Sequence, residues 1–251
     1  MSVMGDNHGF GVDIGGSGIK GGIVDLDTGH LVGERFKVLT PHPSTPGACA
    51  GAVREVVDNF GWTGPVGVTV PAVVTNGTVR SAANIDQGWI GTDANALFAA
   101  SLNRQVTVIN DADAAGLAED KYGAGNDVSG VVILLTLGTG IGSALIHKGV
   151  LVPNTELGHL EVDGKEAEHR AASSVKDAKG WTYEKWAAQL SRVIREYEKL
   201  FWPDLFIVGG GISRKADKWI PMLEVSTPVV PATLLNTAGI VGAAMAAQAQ
   251  A

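Results

Sequence analysis

The sequence predicts an α/β protein made of two related lobes that face each other across a cleft. Short apolar runs of strand character alternate with segments whose apolar residues have helical spacing. A strand, a glycine turn and a returning strand occur as VDIGGSGIKGGIV at residues 12–24, and again, with a one-residue gap, as LTLGTGIGSALI at residues 135–146. A third glycine run, Gly209-Gly210-Gly211, follows another apolar segment. One stray glycine hairpin does not explain all three, so we expect two lobes of related structure.

Composition and charge limit the classes of function. The chain has 251 residues, of which 45% are hydrophobic and 18% charged, as expected for a globular protein with one large domain or two small ones. The net charge of −7 does not predict a nucleic-acid-binding surface. The single cysteine, Cys49, excludes a disulfide framework and a cysteine zinc site. With no signal peptide and no apolar run of transmembrane length, we expect a cytoplasmic protein without membrane contacts.

The first part of the chain predicts the order βββαβ(ββ)αβ. Val53, Val56, Val57 and Phe60 lie at helical spacing, and Asn-Gly between apolar runs is a strong hairpin signal. The predicted elements are strands at residues 9–14, 19–26 and 31–38, a helix within 46–61, a buried strand within 65–74, a hairpin about Asn76-Gly77, a short helix at 93–102 capped by Thr92, and a strand at 106–110.

The second part predicts a helix, a strand–turn–strand–turn–strand unit, a long helix, and a strand that ends in glycines before another helix. The long helix carries an apolar stripe of Trp186, Leu190, Val193, Ile194, Tyr197 and Leu200. A final helix of small residues is expected to pack back on the first half. The predicted ranges are 110–123, 130–152, 182–201 and 204–213, and the expected lobes are 9–110 with helix 237–250, and 111–236.

The first glycine loop matches G-x-G-x-x-G from Gly16 to Gly21. A dinucleotide-binding turn needs a helix after the glycines, whereas here another apolar run, a turn and a further apolar run follow. A P-loop pattern does not fit either. Two strands joined by a tight turn, with backbone N–H groups facing a phosphate, remain possible, and Asp13 would then suit a phosphate that carries Mg²⁺. Taken alone, the loop fits a hairpin without a ligand equally well.

Five segments in order resemble the ROK family of sugar kinases, within the actin-like ATPase superfamily. They are DIGGSGIKGG, NDADAAGLAE, LTLGTGIGSALI, ELGH and IVGGGIS, and the resemblance extends from about residue 9 to 248. Each motif is weak alone, but five in this order are specific. The segment ELGHLEVDGKEAEHRAAS further resembles the polyphosphate-dependent glucokinases of actinobacteria. The resemblance implies two actin-like (ribonuclease H-like) lobes around a cleft.

The resemblance also implies a sugar acceptor and a phosphoryl donor. Asp111 alone fits a helix N-cap better, but together with the glycine loops we assign it as the base that takes the proton from the sugar 6-hydroxyl. Glu161 and Glu166 are close enough to leave the assignment of Glu168 open, and Lys20 can equally be a strand lysine without a role. The implied sugar-binding residues are Asn84, Asp111, Glu156, His159 and Glu168. The implied phosphate-binding residues are Asp13, Gly15, Gly16, Ser17, Gly18, Lys20, Gly138, Thr139, Gly140, Gly209, Gly210 and Gly211.

The implied cofactor is Mg²⁺, held by Asp13 directly or through water. Many ROK proteins carry a cysteine-rich zinc motif shortly after E-x-G-H, but residues 160–173 contain no cysteine. Zinc is therefore not carried over, and His159 is left to face the sugar.

The expected donor is inorganic polyphosphate, ATP or both. Residues 165–199 hold eight basic and six acidic residues, and Arg214, Lys215 and Lys218 follow the third glycine run. These charges predict a track for a polyphosphate chain, although a solvated helix face explains them as well.

The function expected from the sequence is transfer of a phosphoryl group to the 6-hydroxyl of glucose. Mannose as a second acceptor and a homodimeric state both stay open. The alternatives are a strictly ATP-dependent glucokinase and a non-catalytic ROK-type sugar sensor. Such sensors carry an N-terminal helix-turn-helix, for which the dozen residues before Asp13 are too few. A dehydrogenase is disfavoured because no helix is predicted after Gly21.

Overall fold

The computed structural model describes residues 7–83 and 85–249 of the chain and has a mixed α/β fold. The chain divides into two compact units, one comprising the residues up to Ala118 together with those from Asn236 onward, and the other Glu119–Leu235. The strands are β1 (His8–Gly15), β2 (Gly18–Asp25), β3 (Phe36–Val38), β4 (Val66–Val70), β5 (Val74–Thr75), β6 (Thr78–Val79), β7 (Val106–Asn110), β8 (Val131–Leu137), β9 (Ile141–His147), β10 (Val150–Val152), β11 (Glu161–Val162), β12 (Lys165–Glu166), β13 (Leu205–Gly209) and β14 (Val229–Pro231). The α-helices are α1 (Pro46–Asn59), α2 (Ala94–Leu102), α3 (Asp111–Tyr122), α4 (Ala167–Ala171), α5 (Ser173–Ala178), α6 (Tyr183–Phe201) and α7 (Ala238–Gln248).

The first unit contains a five-stranded sheet in the order β3-β2-β1-β4-β7. β1 and β2 form an antiparallel hairpin, and β1, β4 and β7 run parallel. Apolar side chains of the strands, including Val12 and Val68, form one core with Val53, Val56 and Val57 of α1. Helix α7 contacts β1 and β4, where glycines replace side chains. The predicted Asn76-Gly77 hairpin joins β5 and β6, with positive φ at both turn residues.

The second unit contains a five-stranded sheet in the order β10-β9-β8-β13-β14. β8 and β9 are an antiparallel hairpin around the second glycine turn, whereas β8, β13 and β14 run parallel. The stripe of α6 packs into the core of this unit, where the rings of Trp186 and Trp219 meet edge to face at 5.0 Å. No helix among the described residues is long and apolar enough to cross a membrane.

Two predictions about helix ends are wrong. Helix α2 is capped by Asp93, whose carboxylate accepts the N–H of Ala96 at 2.9 Å, while the Thr92 hydroxyl donates to Gly88 instead. A carboxylate also interacts favourably with the positive end of the helix dipole. Leu200 does not belong to the buried stripe of α6, because the last turn leaves the core and 58% of this residue is exposed.

Another prediction fails because the backbone turns earlier than the apolar pattern suggests. The predicted strand at 31–38 is reduced to β3, and Leu31 forms only an isolated bridge to Val24. Gly33 lies between Leu31 and β3 and has φ of +82°, which an extended strand does not accommodate. The helix predicted after the third glycine run is present as a 3-10 helix, Gly211–Lys218, whose helical geometry is interrupted at Lys215.

Candidate active site

In the first unit, the predicted donor and base residues lie at one edge of the sheet. The register pairs Asp13 of β1 with Thr69 of β4, and Val70 of β4 with Asn110, the last residue of β7. The carboxyl ends of parallel strands are where α/β sheets most often bind ligands. Asp13, the first glycine turn and Asp111 are therefore brought to the same edge.

The first glycine turn consists of Gly16 and Ser17, both exposed, between β1 and β2. No hydrogen bond within the described residues uses the backbone N–H of Gly16 or Ser17. A Cβ atom at Gly16 would meet nothing within 4 Å, so a ligand can approach the backbone there. The Thr40 hydroxyl donates to the Gly15 carbonyl and holds it in place. These open amides suit the oxygens of a phosphate.

Asp13 has a protein partner on each carboxylate oxygen. Lys20 Nζ lies 2.8 Å from Oδ2, and Thr69 Oγ1 donates to Oδ1 at 2.9 Å. Thr69 also accepts the N–H of Ile14 at 3.3 Å, so it fixes the carboxylate to the end of β1. Lys20 thus faces Asp13. The role of Thr69 was missed, although a single polar residue in the wholly buried strand β4 was a signal for it.

Asp111 is the first residue of α3, but its neighbour caps the helix. The Asn110 carboxamide oxygen accepts the N–H groups of Ala112 and Asp113 at 2.8 and 3.0 Å, and its nitrogen donates to the Ala72 carbonyl at 3.1 Å. Asp111 is half-buried and accepts the N–H of Ala112 at 2.9 Å. Asp113 is fully buried.

In the second unit, the two glycine segments share an edge. Gly209 at the end of β13 pairs with Thr136 of the neighbouring parallel strand β8, which leads into the turn Gly138-Thr139-Gly140. Gly210 has φ of +83°, and a Cβ atom there would lie 2.4 Å from the Leu137 carbonyl oxygen. Only glycine accommodates this close approach. Gly138–Gly140 and Gly209–Gly211 therefore lie next to each other at this edge of the sheet.

Two serines that the sequence analysis did not single out hold the second glycine turn. Ser173 Oγ donates to the Gly138 carbonyl at 3.0 Å, and Ser174 Oγ donates to the Thr139 carbonyl at 2.6 Å. Both serines begin α5, where hydroxyls are common as caps, so the sequence carried no specific signal for this role. Because the carbonyls are engaged from behind, the turn is fixed.

The predicted sugar ligands Glu156, His159 and Glu168 meet in the second unit, together with Glu166 and His169. His159 lies between Glu156 (Nε2 to Oε2, 3.8 Å) and Glu166 (Nδ1 to Oε2, 3.6 Å). His169 lies between Glu166 (3.1 Å) and Glu168 (3.8 Å). The result is a row of alternating carboxyl and imidazole groups, which offers both acceptors and donors to sugar hydroxyls. His169 was missed, because a lone histidine on a short helix gives no signal in the sequence.

Buried groups hold this row in position. A Cβ atom at Gly158 would lie 2.2 Å from the Ile141 carbonyl oxygen, which explains the glycine within ELGH. Tyr197, wholly buried, donates its hydroxyl to the Leu157 carbonyl at 2.7 Å, and burial raises its pKa, which keeps the donor protonated. Glu168 Oε2 accepts the N–H of Ile141 at 3.3 Å and lies where a side chain at Gly140 would be. Glu168 therefore links the predicted sugar ligands to the glycine turn within this unit.

Burial raises the pKa of Glu156, the nearby Glu168 carboxylate raises it further, and His159 lowers it. Ligand atoms of His159, Glu166 and Glu168 lie within 4.8 Å of one another, a group that can hold a metal ion. The expectation that zinc is absent rests on the missing cysteines and stays a prediction. Asn84 lies outside the described residues.

A family model, curated relatives and solved structures all match this chain. The ROK family model matches residues 9–174. The chain is 68% identical over 243 residues to a polyphosphate glucokinase of Mycobacterium tuberculosis, covering 96% of this chain and 92% of the relative. The structure of an inorganic polyphosphate/ATP-glucomannokinase from Arthrobacter sp. strain KM matches with a TM-score of 0.93 and 52% identity, over 98% of this chain and 100% of that one. A ROK family glucokinase from Streptomyces griseus, in complex with glucose and AMPPNP, matches with a TM-score of 0.82 and 25% identity, over 96% and 99% of the two chains.

Proposed function

The chain belongs to the ROK family, and we propose that it is a kinase that transfers a phosphoryl group from inorganic polyphosphate or ATP to the 6-hydroxyl of glucose. The observation that carries this proposal is the 68% identity to a polyphosphate glucokinase over almost the whole chain. The matches to two sugar kinase structures confirm the fold class predicted from the sequence, an α/β protein of two actin-like lobes.

We assign the acceptor chemistry to Asp111 and to the row in the second unit. Asp111, at the carboxyl edge of β7, takes the proton from the 6-hydroxyl as that oxygen attacks phosphorus, since a positioned base typically contributes about 10²–10⁴ in rate. Glu156, His159 and Glu168 bind the other hydroxyls, and Asn84 is carried as a further sugar ligand by the family resemblance alone. Polar groups that match the sugar hydroxyls exclude acceptors that lack them, because a polar group that the bound sugar covers and leaves unmatched costs about 1–3 kcal/mol.

We assign the donor chemistry to the three glycine segments. The open amides of Gly16 and Ser17, with Gly15, Gly18 and Lys20, bind donor phosphates in the first unit. Thr139 with its flanking glycines, and Gly209–Gly211, bind them in the second. Asp13 fits a Mg²⁺ ion held through water, because each oxygen has one protein partner and retains acceptor capacity. Bound in this way, Mg²⁺ would neutralise the charge that develops on the transferred phosphoryl group.

The test is glucose 6-phosphate formation with a single donor present. Long-chain polyphosphate freed of nucleotide, and separately ATP, would be supplied with glucose or mannose, and the product followed by a coupled dehydrogenase assay and by ³¹P NMR. Asp111→Asn, purified in parallel, controls for contaminating kinases. We expect activity with both donors, dependent on added Mg²⁺ and preserved after a zinc chelator is applied. Activity with ATP alone would indicate an ordinary ATP-dependent glucokinase, and no activity with either donor would favour a sugar sensor.

A further inference from the structure

We propose that Lys37 binds the phosphoryl donor, with its ammonium group placed against a non-bridging phosphate oxygen at the first glycine turn. This inference rests on the proposed function and adds a residue to its donor site. Lys37 lies on β3, outside every motif that pointed to the function. What connects it to the site is the path of its side chain.

The side chain of Lys37 extends over Gly18, the residue that closes the first glycine turn. A Cβ atom at Gly18 would lie 2.0 Å from Lys37 Cε and 3.0 Å from its Nζ. Gly18 is not among the residues with positive φ, so its backbone conformation does not require glycine. The absent side chain instead leaves the space that the lysine occupies. The ammonium group therefore lies next to Gly18, the residue that directly follows the open amides of Gly16 and Ser17.

Among the described residues, Lys37 has no acidic partner. The register places Lys37 opposite Lys20 on β2, and Lys20 opposite Asp13 on β1, so the three side chains form a row on one face of the sheet. Lys20 is paired with Asp13 at 2.8 Å, whereas Lys37 forms no ion pair with any described residue. Like charges directly opposite on neighbouring strands are destabilising. A phosphate chain bound at the turn would supply the missing negative charge.

A purely structural role is the alternative explanation for Lys37. β3 is the edge strand of its sheet, and lysines on edge strands discourage pairing with other chains. That role predicts no effect on the donor. The two explanations therefore differ in the kinetic constant that a Lys37 substitution changes.

The experiment compares Lys37→Met, Lys37→Arg and the control Arg54→Gln, whose exposed side chain lies on α1 near Asp58. We expect Lys37→Met to raise KM for polyphosphate and for ATP about 10- to 100-fold, as loss of one charged hydrogen bond would. KM for glucose should stay unchanged, and the dependence of donor binding on salt should become shallower. Lys37→Arg should recover most of the donor affinity, and Arg54→Gln should match the parent.

Gly18→Ala tests the geometry when it is combined with Lys37→Met, because the new methyl group would displace the lysine. We expect it to raise donor KM as Lys37→Met does, and the double substitution to add little to either. Unchanged donor KM in Lys37→Met, in an active parent protein, would overturn the inference. Calorimetric binding of tripolyphosphate gives the same comparison without turnover, so a parent that phosphorylates no sugar would contradict the proposed function while still testing Lys37.

Discussion

At the junction of β7 and α3, Asn110 caps the helix next to Asp111, the proposed base. The buried Asn110 carboxamide satisfies the first N–H groups of the helix and ties the junction to Ala72. Because this cap is already in place, the neighbouring carboxylate is not needed for helix initiation. The sequence alone favoured a different interpretation, in which Asp111 caps the helix. Family motifs pointed to a base at that position, but only the structure identifies which neighbour caps the helix.

We predict that Asp111→Asn lowers turnover at least a hundredfold while glucose still binds, because the amide keeps the shape but cannot accept the proton. Turnover would be measured by coupled assay and glucose binding by calorimetry. Asp58→Asn on the exposed surface of α1 serves as the control and should be fully active. Near-normal turnover in Asp111→Asn would remove this residue from the role of base.

A second prediction concerns pH and Glu156. The ionised carboxylate of Glu156 accepts a stronger hydrogen bond from a sugar hydroxyl than the protonated group does, and its pKa is raised above the ordinary value of 4.5 by burial and by Glu168. On acidification, glucose affinity should therefore begin to fall at a pH above the ordinary glutamate range. In the window between the ordinary and the raised pKa the folded protein binds more protons than the unfolded chain, so the free energy of unfolding decreases as pH rises through it.

Glu156→Gln should remove the pH dependence of glucose affinity and of the free energy of unfolding. Glucose should bind this variant more weakly, with an affinity that changes little with pH. The measurements are glucose dissociation constants and chemical denaturation across the acidic range. Glu55→Gln, exposed on α1, is the matched control and should titrate like the parent. If Glu156→Gln keeps the parent's acid transition, another group is responsible for it.

Helix α7 shows how backbone contacts position an element. Gly11 of β1 and Gly67 of β4 are paired in register, and a Cβ atom on either would lie 1.8 Å from a carbonyl oxygen of α7, that of Ile240 or Ala243. The small residues of the last helix predicted close packing on the first half of the chain. The glycines that receive it could not be identified, because in a strand pattern they are indistinguishable from flexible positions.

Gly67→Ala should therefore destabilise the protein by about 1–3 kcal/mol or more, since overpacking against a backbone carbonyl cannot be relieved by a rotamer change. Gly51→Ala is the matched control, because this exposed helical glycine on α1 has nothing within 4 Å of its Cβ position. The free energy of unfolding of this control should be higher than that of the parent by roughly 0.5–1 kcal/mol. Urea denaturation measures both, and equal stability of the two variants would mean that α7 shifts without cost.

The sequence predicted most strands and helices because their apolar periodicity is strong, as in the α6 stripe. It could not predict contacts that join distant segments. Ser173, Ser174 and His169 acquire their contacts only through tertiary structure, and none has a distinctive local pattern, whereas Thr69 stood out as the one polar residue of a buried strand. The shortening of β3 was predictable in principle from Gly33, but its positive φ depends on the turn that follows β2.

The distribution of charge over the protein bears on the donor. The net charge is −7, so a polyphosphate chain would be repelled unless basic residues are concentrated along its path. Within the predicted track, several basic side chains are already occupied. Lys176, Arg192, Arg195 and Lys199 have acidic partners at 3.1, 3.6, 2.8 and 2.6 Å. These residues fit the solvated helix face better than a binding track.

The basic residues that follow the third glycine run are different. Arg214, Lys215 and Lys218 are exposed and form no ion pair with any described residue, and the 3-10 helix that carries them begins at Gly211. Lys179 and Lys185 lie over the Trp181 ring at 4.6 and 5.4 Å, likewise without an acidic partner among the described residues. We therefore propose that the predicted track consists of Arg214, Lys215 and Lys218, which would continue from the third glycine run.

We predict that Lys215→Gln combined with Lys218→Gln raises KM for long-chain polyphosphate several-fold and leaves KM for ATP nearly unchanged, because ATP carries an uncharged nucleoside where polyphosphate carries further phosphates. The salt dependence of polyphosphate use should become shallower, since fewer exposed charges contribute to binding. Lys199→Gln, which removes a lysine already paired with Glu196, is the control and should behave as the parent does. Initial rates with polyphosphate and with ATP, each over a range of ionic strength, measure both effects. An equal rise for both donors would move these lysines into the general donor site, and no change with either would return them to the solvated surface.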